Sequence, residues 1–310
     1  MQILRHIGKQ SQDFPGSVVT LGNFDGIHLG HQVLIAGAVT DSKKFRLPSV
    51  VLTFEPHPMS VLAPDRAPRL ILAHKDKMQL LQSLGVDIVA VQHFDLSFAM
   101  LSAEEFVRGL LVKRLKARKI WVGHDLRFGQ GRKGDVDDLR QWGKELGFEV
   151  AVVEPILVGG NRVSSSRIRE LLSEGRVDEV KALLGRYHFI SGRVIRGHRR
   201  GKDLGFPTAN LSVRTEVMPA DGIYATFFHL GKRVLPSVSS IGLNPTFGAG
   251  PRTVESFIIS FDEDIYDEAV RLSFVERIRD EIKFSSVPEL IAQIRDDVRT
   301  AEAILDTVRN

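Results

Sequence analysis

Two histidines three residues apart, His28 and His31, stand in a glycine-rich segment that follows a short apolar run. At the start of a helix this spacing places both imidazoles on one face. A helix N-terminus offers free backbone N–H groups and a partial positive charge, and Gly26 and Gly30 allow a ligand to approach the backbone closely. Together these features predict a polyphosphate site that stabilises charge on an attacked phosphorus. A histidine pair at this spacing, taken by itself, is more often structural or a surface feature, and its place between glycines at a strand-to-helix turn favours the phosphate site.

A second candidate phosphate site is a run of three hydroxyl side chains followed by two arginines. It consists of Ser164, Ser165, Ser166, Arg167 and Arg169, and a helical pattern follows it. Hydroxyls at a helix N-cap and guanidinium groups in the first turn suit the oxygens of a triphosphate. An ordinary capped helix with a basic surface is the alternative that these residues leave open.

A third candidate lies in the second half of the chain, where residues 201–211 read GKDLGFPTANL. Glycine and proline fix a tight backbone path, after which Thr208 and Asn210 offer oxygen ligands suited to Mg²⁺. Further on, Glu255 is a single carboxylate in an apolar run, and a buried carboxylate is costly unless it is paired or functional. A plain turn and an edge-strand surface glutamate are the alternatives.

The elements that must position the first two candidates follow an alternating pattern. Short β-branched runs alternate with helical patterns through the first half of the chain, which favours a doubly wound, mostly parallel α/β sheet of the Rossmann-like class. Such a sheet binds ligands beyond the carboxyl ends of its strands. We expect strands at 17–21, 49–54, 87–91, 119–122 and 149–153 and helices near 31–40, 74–84, 103–117 and 135–146.

The pattern changes after about residue 185. Two short helices, near 166–174 and 176–184, lead to strand-like runs that glycine and proline interrupt and that no long helix separates. This spacing predicts a small antiparallel β-barrel followed by a terminal helix. The strands are expected at 189–195, 222–229, 233–241, 253–260 and 269–276 and the helix at 287–308. We therefore expect two domains, residues 1–185 and 186–310.

Composition excludes several classes of protein. The chain has no cysteine, which rules out disulfides, thiolate metal sites and cysteine nucleophiles. No apolar run reaches the roughly 18–20 residues of a membrane helix, and the N-terminal residues lack the apolar core of a signal peptide, so we expect a cytoplasmic protein without a membrane partner. The net charge of +4 weakly indicates an anionic partner. The basic run 113–119 is interpreted as a solvated helix face. Oligomeric state is not indicated.

Three segments of the first half carry a family resemblance. The histidine and serine–arginine segments resemble the H-x-G-H and S-S-T-x-x-R motifs of the nucleotidyltransferase superfamily. Residues 22–31, 54–58 and 123–129 (GNFDGIHLGH, FEPHP and GHDLRFG) more narrowly resemble the adenylyltransferase half of bacterial bifunctional FAD synthetase. The resemblance implies that His28 and His31 bind the phosphates of ATP while the FMN phosphate attacks the α-phosphorus and pyrophosphate leaves. A phosphate monoester is already ionised at pH 7, so this reaction needs no general base.

The same resemblance assigns the surrounding residues. To ATP and its phosphates it assigns Gly22, Asn23, Phe24, Asp25, Gly30, Ser164, Ser165, Ser166, Arg167 and Arg169. To the flavin it assigns Phe54, Pro56, His57, Pro58, Asp125, Arg127 and Phe128. It implies Mg²⁺ as the metal, which neutralises charge between phosphates. The chain departs from the family pattern at His124 and Leu126, where aromatic residues are common, and at Ser166, which replaces threonine but keeps the hydroxyl.

Residues 201–211 resemble the signature of riboflavin kinase, and segments 221–225, 241–247 and 274–279 follow in the order of that family. The resemblance assigns ATP and flavin binding to Gly201, Lys202, Gly205, Phe206, Pro207, Thr208 and Asn210. It implies that Thr208 and Asn210 hold Mg²⁺ and that Glu255 is the general base for the ribityl hydroxyl of riboflavin. Asp267 stands where the family often has glycine; if the turn requires a positive φ, aspartate adopts it at modest cost.

The two resemblances together predict a bifunctional enzyme that phosphorylates riboflavin to FMN and adenylylates FMN to FAD, with ATP as co-substrate. A nicotinate or pantetheine phosphate adenylyltransferase is one alternative, but such enzymes lack a kinase barrel. A flavin-binding regulator with a decayed centre is another, against which the intact His28, His31, Thr208, Asn210 and Glu255 argue. A nucleic-acid binder is suggested by charge alone, and the basic loop 196–202 beside the expected ATP site explains that charge without nucleic acid.

Overall fold

A computed structural model describes residues 1–5, 7, 15–197, 201, 204–213, 215–242 and 252–309. Residues 202–203 and 243–247 of the expected kinase motifs, and residues 198–200 of the basic loop, lie outside the described residues. The chain forms two compact units. The first consists of Met1–Arg69 and His74–Ser164, and the second of Leu70–Ala73 and Ser165–Asn310.

The first unit is built on a six-stranded sheet in which all neighbouring strands are parallel. Its central strand is buried at all five positions, as expected where both faces of a parallel sheet are covered. The strands are β1 Gln2–Arg5, β2 Ser17–Leu21, β3 Ser49–Glu55, β4 Ile88–His93, β5 Ala117–Gly123 and β6 Glu149–Val153. Their spatial order is β1-β4-β3-β2-β5-β6.

Helices connect these strands. They are α1 Leu29–Phe45, α2 Pro58–Leu62, α3 His74–Ser83, α4 Leu96–Ala99, α5 Ala103–Glu105 and α6 Val136–Leu146. Short 3₁₀ turns lie at Pro64–Arg66 and Gln130–Arg132, and a two-stranded hairpin pairs β7 Leu157–Val158 with β8 Asn161–Arg162.

The helix expected over 103–117 differs from the prediction. After α5 the chain continues as a π-helix, Phe106–Arg114, and β5 begins at Ala117. Lys116, between them, is left-handed with a φ of 47°. The basic run 113–119 therefore spans a helix end, a turn and a strand, and the interpretation of it as one helix face is wrong.

The strand order places the candidate residues at one edge of the sheet. From β2 the chain proceeds to β3 and β4 on one side and later to β5 and β6 on the other. The order therefore reverses between β2 and β5, and open α/β sheets bind ligands outside the carboxyl ends of their strands at such a point. The segments 22–31, 54–58 and 123–129 end or follow β2, β3 and β5, so topology brings all three to this edge.

The second unit contains a closed barrel of antiparallel pairs in the order β10-β13-β12-β11-β14-β9. The strands are β9 His188–Ile195, β10 Thr208–Val213, β11 Gly222–Leu230, β12 Arg233–Gly242, β13 Thr253–Ile258 and β14 Ala269–Arg279. β10 is not among the strands expected from the sequence. The fold class, a parallel α/β sheet followed by a small antiparallel barrel and a terminal helix, is confirmed.

Helices α7 Ser165–Ser173 and α8 Val177–Leu184 belong to this second unit, where α8 packs against β14 and β9. The C-terminal helix Val287–Arg309 packs its buried Ala301 and Leu305 against the outer face of the barrel. The expected functional boundary at residue 185 stays a prediction. None of the helices in the described part of the chain is both long and apolar enough to cross a membrane.

Candidate active sites

The loop between β2 and α1 presents the two histidines as a stacked pair. His28 is the N-cap of α1, where its Nδ1 accepts the backbone N–H of His31 at 3.3 Å. Because Nδ1 is an acceptor, the neutral ring of His28 carries its proton on Nε2. The two rings lie 3.6 Å apart with 17° between their planes. Gly30 leaves room for this arrangement, since a Cβ there would lie 3.3 Å from the His28 ring.

His31 is held in its neutral form. Burial lowers the pKa of His31 well below its usual value, and the electrostatic interactions with His28 and Lys77 lower it further. Its Nδ1 is buried and has no hydrogen-bond partner among the described residues. A buried polar atom of this kind is an acceptor or donor that an incoming ligand can satisfy.

The same loop has an unusual backbone. Phe24, Gly26 and Ile27 have φ values of 50°, 81° and 42°. The left-handed region is uncommon for a non-glycine residue and most unfavourable for a β-branched one such as Ile27. Strain of about 1–3 kcal/mol per such residue persists only where neighbouring contacts hold the conformation. The loop from Phe24 to Ile27 is accordingly buried.

One of those contacts comes from Lys77 on α3, which the sequence analysis does not select. Its Nζ donates to the carbonyl oxygen of Asn23 at 3.2 Å and lies 3.4 Å from Thr53 Oγ1. Burial lowers the pKa of Lys77, whereas the carboxylates of Asp25 and Glu55 raise it. In the sequence, nothing distinguishes Lys77 from its exposed neighbour on the same helix, so only the fold identifies it.

The segment after β3 contacts the same asparagine. His57 is the N-cap of α2, and its Nδ1 accepts the backbone N–H of Met59 at 3.2 Å. Its Nε2 lies 3.0 Å from the side-chain amide of Asn23. The contact joins Asn23 Nδ2 and His57 Nε2, and the tautomer of His57 decides which of its ring nitrogens accepts a hydrogen bond. Pro58 occupies the first turn of α2, and the peptide bond before Pro56 is cis.

An aromatic wall lies along this edge of the sheet. Phe54, at the end of β3, contacts Phe94 edge-to-face at 5.9 Å, and Phe94 contacts Phe98 at 5.6 Å. Further ring contacts continue the wall through Phe106, Phe128 and Trp142. Phe128 is 8% exposed, so it supports the wall from inside, together with the half-buried Leu126. Phe94 and Phe98 are not among the predicted site residues, because their position depends on the neighbouring strand β4.

The two charged residues of the loop after β5 are engaged by protein partners. Asp125 forms an ion pair with Arg162 of β8, and Arg127 pairs with Asp135 at 2.9 Å. Burial raises the pKa of Asp125, but the hydrogen bond and charge of Arg162 outweigh it and hold that pKa below its usual value. Both ion pairs are partly exposed and therefore open to exchange with a charged ligand.

The serine–arginine segment lies at the division between the units. Ser164 ends the first unit, and Ser165 begins α7 of the second. On that helix Ser166 is exposed, and Arg167 Nη1 donates to Glu170 at 2.7 Å. That these serines and Arg169 share a ligand with the histidines stays a prediction.

The second candidate site lies on the barrel, where β10 pairs with β13. Asn210 stands opposite Glu255 in the ladder, and Thr208 Oγ1 donates to Glu255 Oε2 at 3.1 Å. Along β13 the residues alternate, so that Glu255 lies on the partly exposed outer face. β13 has neighbours on both sides. Glu255 is therefore neither a buried carboxylate nor an edge-strand residue.

The turn before β10 has the tight path that its composition predicts. The carbonyl oxygen of Gly201 accepts the N–H groups of Leu204 at 3.2 Å and Phe206 at 2.8 Å, and Gly205 has a φ of 84°. A Cβ at Gly201 would collide with the carbonyl oxygen of Phe206. Pro207 follows, and Phe206 packs edge-to-face on Phe257 at 5.4 Å.

The donor set around Glu255 suits a hard divalent cation. Thr208 and Asn210 are two apart on β10 and thus share a face. The Thr208 hydroxyl donates its hydrogen to Glu255 and keeps its lone pairs available for a metal. The described residues contain no cluster of three or more acidic or histidine ligands. Thr208 and Asn210 could contribute two oxygen ligands to a Mg²⁺ ion that takes much of its coordination from substrate phosphates.

Comparison with known proteins decides between the alternatives. A family model described as FAD synthetase matches residues 10–167, and one described as riboflavin kinase matches residues 184–305. A bifunctional riboflavin kinase/FMN adenylyltransferase of Escherichia coli K12 is 39% identical over 303 residues, which is 97% of each chain. The chain belongs to the bifunctional riboflavin kinase/FMN adenylyltransferase family.

Other members extend the likeness over the whole chain. The bifunctional riboflavin kinase/FMN adenylyltransferase of Haemophilus influenzae is 34% identical and covers 99% of this chain and 100% of its own. A crystal structure described as a macrolide-efflux protein from Streptococcus pneumoniae is 33% identical, covers 97% and 99% of the two chains, and has a TM-score of 0.87. The predicted pair of activities, riboflavin kinase and FMN adenylyltransferase, is confirmed. An adenylyltransferase for a different acceptor would not explain the riboflavin kinase match.

Proposed function

We propose that the two reactions take place at separate sites, adenylyl transfer at the loop between β2 and α1 and riboflavin phosphorylation on the outer face of the barrel at Glu255. One observation supports this division more than any other. The first site pairs two imidazoles with a helix N-terminus, whereas the second pairs a carboxylate with a hydroxyl 3.1 Å away. The first set stabilises negative charge, and the second accepts a proton.

At the first site the chemistry requires charge stabilisation. His28 Nε2–H and the neutral His31 donate to the phosphates of ATP beside the free N–H groups of α1. Gly22, Asn23, Phe24 and Asp25 shape the loop that carries them. The acceptor is the FMN phosphate, which is already an anion and attacks the α-phosphorus without a base. Ser164, Ser165, Ser166, Arg167 and Arg169 offer hydroxyl and guanidinium groups that suit phosphate oxygens.

The flavin ring of FMN packs against the aromatic wall of the first unit. Phe54, Phe94 and Phe98 offer partly exposed ring surface beside the Pro56–Pro58 turn. Aromatic faces and edges suit a planar, polarised ring system. Two exposed apolar residues after β4, Leu96 and Met100, are 66% and 63% exposed in the chain without ligand, and flavin binding would cover apolar surface of this kind.

At the second site the acceptor is an alcohol, which has a proton to lose. Glu255 takes that proton from the terminal ribityl hydroxyl of riboflavin as the hydroxyl oxygen attacks the γ-phosphorus of ATP and ADP leaves. The Thr208 hydroxyl orients the carboxylate through its hydrogen bond. Thr208 and Asn210 would hold Mg²⁺, which supplies charge neutralisation between the phosphates when bound. Gly201, Gly205, Phe206 and Pro207 shape the adjacent turn.

We further propose that each activity belongs to one domain, residues 1–185 and 186–310, which the limits of the two family-model matches support. A cytoplasmic location is supported by the absence of cysteine and by the small-molecule substrates. We propose no nucleic-acid or membrane partner, because the phosphates of ATP and FMN account for the excess of positive charge.

Substitution of His28 tests the assignment of the first site. In His28→Ala the conversion of supplied FMN to FAD falls about 10²–10³-fold, as for loss of one charge-stabilising donor, while riboflavin phosphorylation is unchanged. His93→Ala, at an exposed histidine of the same unit, is the matched control and keeps both rates. Undiminished FAD formation in His28→Ala would show that His28 takes no part, and equal loss of both activities in a folded variant would contradict separate sites.

A further inference from the structure

Asn23 is fixed from three directions at the start of the catalytic loop. Its carbonyl oxygen accepts the Thr53 hydroxyl at 3.3 Å and the Lys77 ammonium at 3.2 Å. Its side-chain amide bonds His57 across 3.0 Å. Strand β3, helix α3 and the segment before α2 therefore converge on the one residue that precedes the left-handed positions of the loop.

Lys77 also interacts electrostatically with the loop after β2 and with the end of β3. The carboxylates of Asp25 and Glu55 each favour the charged form of the Lys77 ammonium. Asp25 lies in the loop after β2 and is only 6% exposed, whereas Glu55 ends β3. A buried carboxylate needs compensation from a positive charge or hydrogen bonds. The attraction to both carboxylates therefore holds the Lys77 ammonium near the loop after β2 and the end of β3.

We propose that Lys77 is a positioning residue for adenylyl transfer, holding the strained loop from Phe24 to Ile27 through Asn23 so that His28 stays at the N-cap of α1. This inference rests on the proposed placement of adenylyl transfer at His28. Without the ammonium, the Asn23 carbonyl keeps the 3.3 Å bond from Thr53, and the loop loses one of the contacts that hold its left-handed residues. A displacement of reacting groups by about 1 Å costs on the order of 10²-fold in rate.

Lys77→Met tests the proposal in the full-length enzyme, with Lys75→Met as the matched control. Lys75 lies on the same helix but is exposed, so its substitution leaves both activities at the wild-type level. In Lys77→Met, kcat for FAD formation from supplied FMN falls by about 10²-fold, while riboflavin phosphorylation, measured in the same preparation, is unchanged. Wild-type FAD formation in Lys77→Met would overturn the proposal.

Two further readouts separate positioning from a general structural role. The positive charge of Lys77 contributes to the lowered pKa of His31, so NMR titration of the His31 ring shifts to higher pH in Lys77→Met and stays at the wild-type position in Lys75→Met. An unshifted titration in Lys77→Met would contradict contact of the ammonium with this loop. Lys77→Arg keeps the charge and restores part of the FAD-forming rate. Failure of arginine to improve on methionine would also count against the proposal.

A double-mutant cycle covers the case in which Lys77→Met folds poorly. Thr53→Val removes the second donor to the same carbonyl with little change of volume, and it slows FAD formation less than Lys77→Met does. Combined with Lys77→Arg, its effect on the free energy of activation is non-additive, because the two side chains share one acceptor. Strict additivity would overturn the shared role. His28→Ala is measured in parallel. If His28→Ala leaves FAD formation intact, the placement of adenylyl transfer at His28 is wrong. If His28→Ala loses FAD formation and Lys77→Met does not, only the inference on Lys77 is refuted.

Discussion

His188 makes the stability of the second unit depend on pH. It lies at the start of β9 with 1% of its surface exposed, and neither ring nitrogen has a hydrogen-bond partner among the described residues. Its ring stacks on Phe274 at 6.0 Å. Burial lowers the pKa of His188 to about 3 from 6.5, and the charge of Arg186 contributes in the same direction. The folded state therefore keeps this imidazole neutral throughout the physiological range.

The sign and size of the effect follow from linkage. Because folding lowers the pKa of His188, the unfolded state binds a proton more readily than the folded state does. The free energy of unfolding is therefore highest above pH 6.5 and falls as the pH decreases toward 3. The slope in that window is about 1.4 kcal/mol per pH unit. Between pH 7 and pH 5, His188 therefore lowers the free energy of unfolding of the second unit by about 2 kcal/mol.

The chain carries its own probes for this measurement. All three tyrosines, Tyr187, Tyr224 and Tyr266, belong to the second unit, and both tryptophans, Trp121 and Trp142, belong to the first. Tyrosine absorbance in urea titrations thus follows the unit that contains His188, while tryptophan fluorescence follows the other.

The comparison is between the wild type and His188→Leu, which has no proton to gain, with His188→Gln as a second variant that is polar but does not titrate. We expect the wild type to lose about 2 kcal/mol more than either variant between pH 7 and pH 5 in the tyrosine signal. Parallel pH profiles for wild type and both variants would refute the reasoning.

Three further predictions concern single contacts. Asp267 has a φ of 63° and lies in the turn before β14. Asp267→Gly therefore relieves left-handed strain, raises the free energy of unfolding by about 1 kcal/mol or less and leaves kinase turnover unchanged. A large gain in kinase rate would show that aspartate impairs the enzyme. Asp297 is 3% exposed and accepts hydrogen bonds from Arg279 with both carboxylate oxygens, at 2.8 and 2.6 Å. In urea titration, Asp297→Ala is expected to lower the free energy of unfolding by about 3–5 kcal/mol. A loss below 1 kcal/mol would contradict a buried ion pair. A methyl group at position 30 meets the His28 ring at 3.3 Å, so Gly30→Ala slows FAD formation but not riboflavin phosphorylation, and assay of both rates checks it.

The parts of the fold that the sequence predicts are those with strong apolar periodicity. The central strands of the parallel sheet are apolar at nearly every position, and the barrel strands alternate, so both were predictable. Four strands were not: the two-residue strands β7 and β8 of the hairpin, and β1 and β10. β1 is a four-residue edge strand with Ile3 43% exposed, and β10 begins at Thr208 with partly exposed polar residues. Their pairing with β4 and β13 defines them as strands, and a single sequence does not show pairing.

The parts of the sites that the sequence predicts are short, contiguous motifs. His28 and His31 lie side by side because His31 follows three positions after His28 at the start of a helix. Thr208 and Asn210 share a face because Asn210 follows two positions after Thr208 on a strand. Lys77 reaches the first site from a different helix, about fifty residues along the chain, and no local pattern marks it. Long-range contacts of this kind depend on strand order, which local spacing does not encode.

The burial of polar side chains inside the barrel could not be predicted either, because it depends on pairing between strands. The hydroxyls of Thr226, Ser237, Ser239 and Ser256 are fully buried and bond one another across β11, β12 and β13 at 2.7–2.9 Å. Each hydroxyl in the interior is satisfied by a partner on another strand, which removes the usual cost of burial. The partner of each hydroxyl lies on another strand, so a single sequence does not show that these residues are buried.

The central claim is that Glu255 serves the kinase reaction and has no part in adenylyl transfer, and Glu255→Gln tests it most directly. The variant is given Mg-ATP with riboflavin in one reaction and with FMN in another, and FMN and FAD are separated by chromatography. Glu302→Gln, at an exposed glutamate of the C-terminal helix, is the control and behaves as wild type. Loss of a general base costs about 10²–10⁴-fold in rate, so we expect riboflavin consumption to collapse by that factor while supplied FMN is still converted to FAD at the wild-type rate. Phosphorylation of riboflavin at the wild-type rate, or an equal loss of both reactions in a folded variant, would contradict the account.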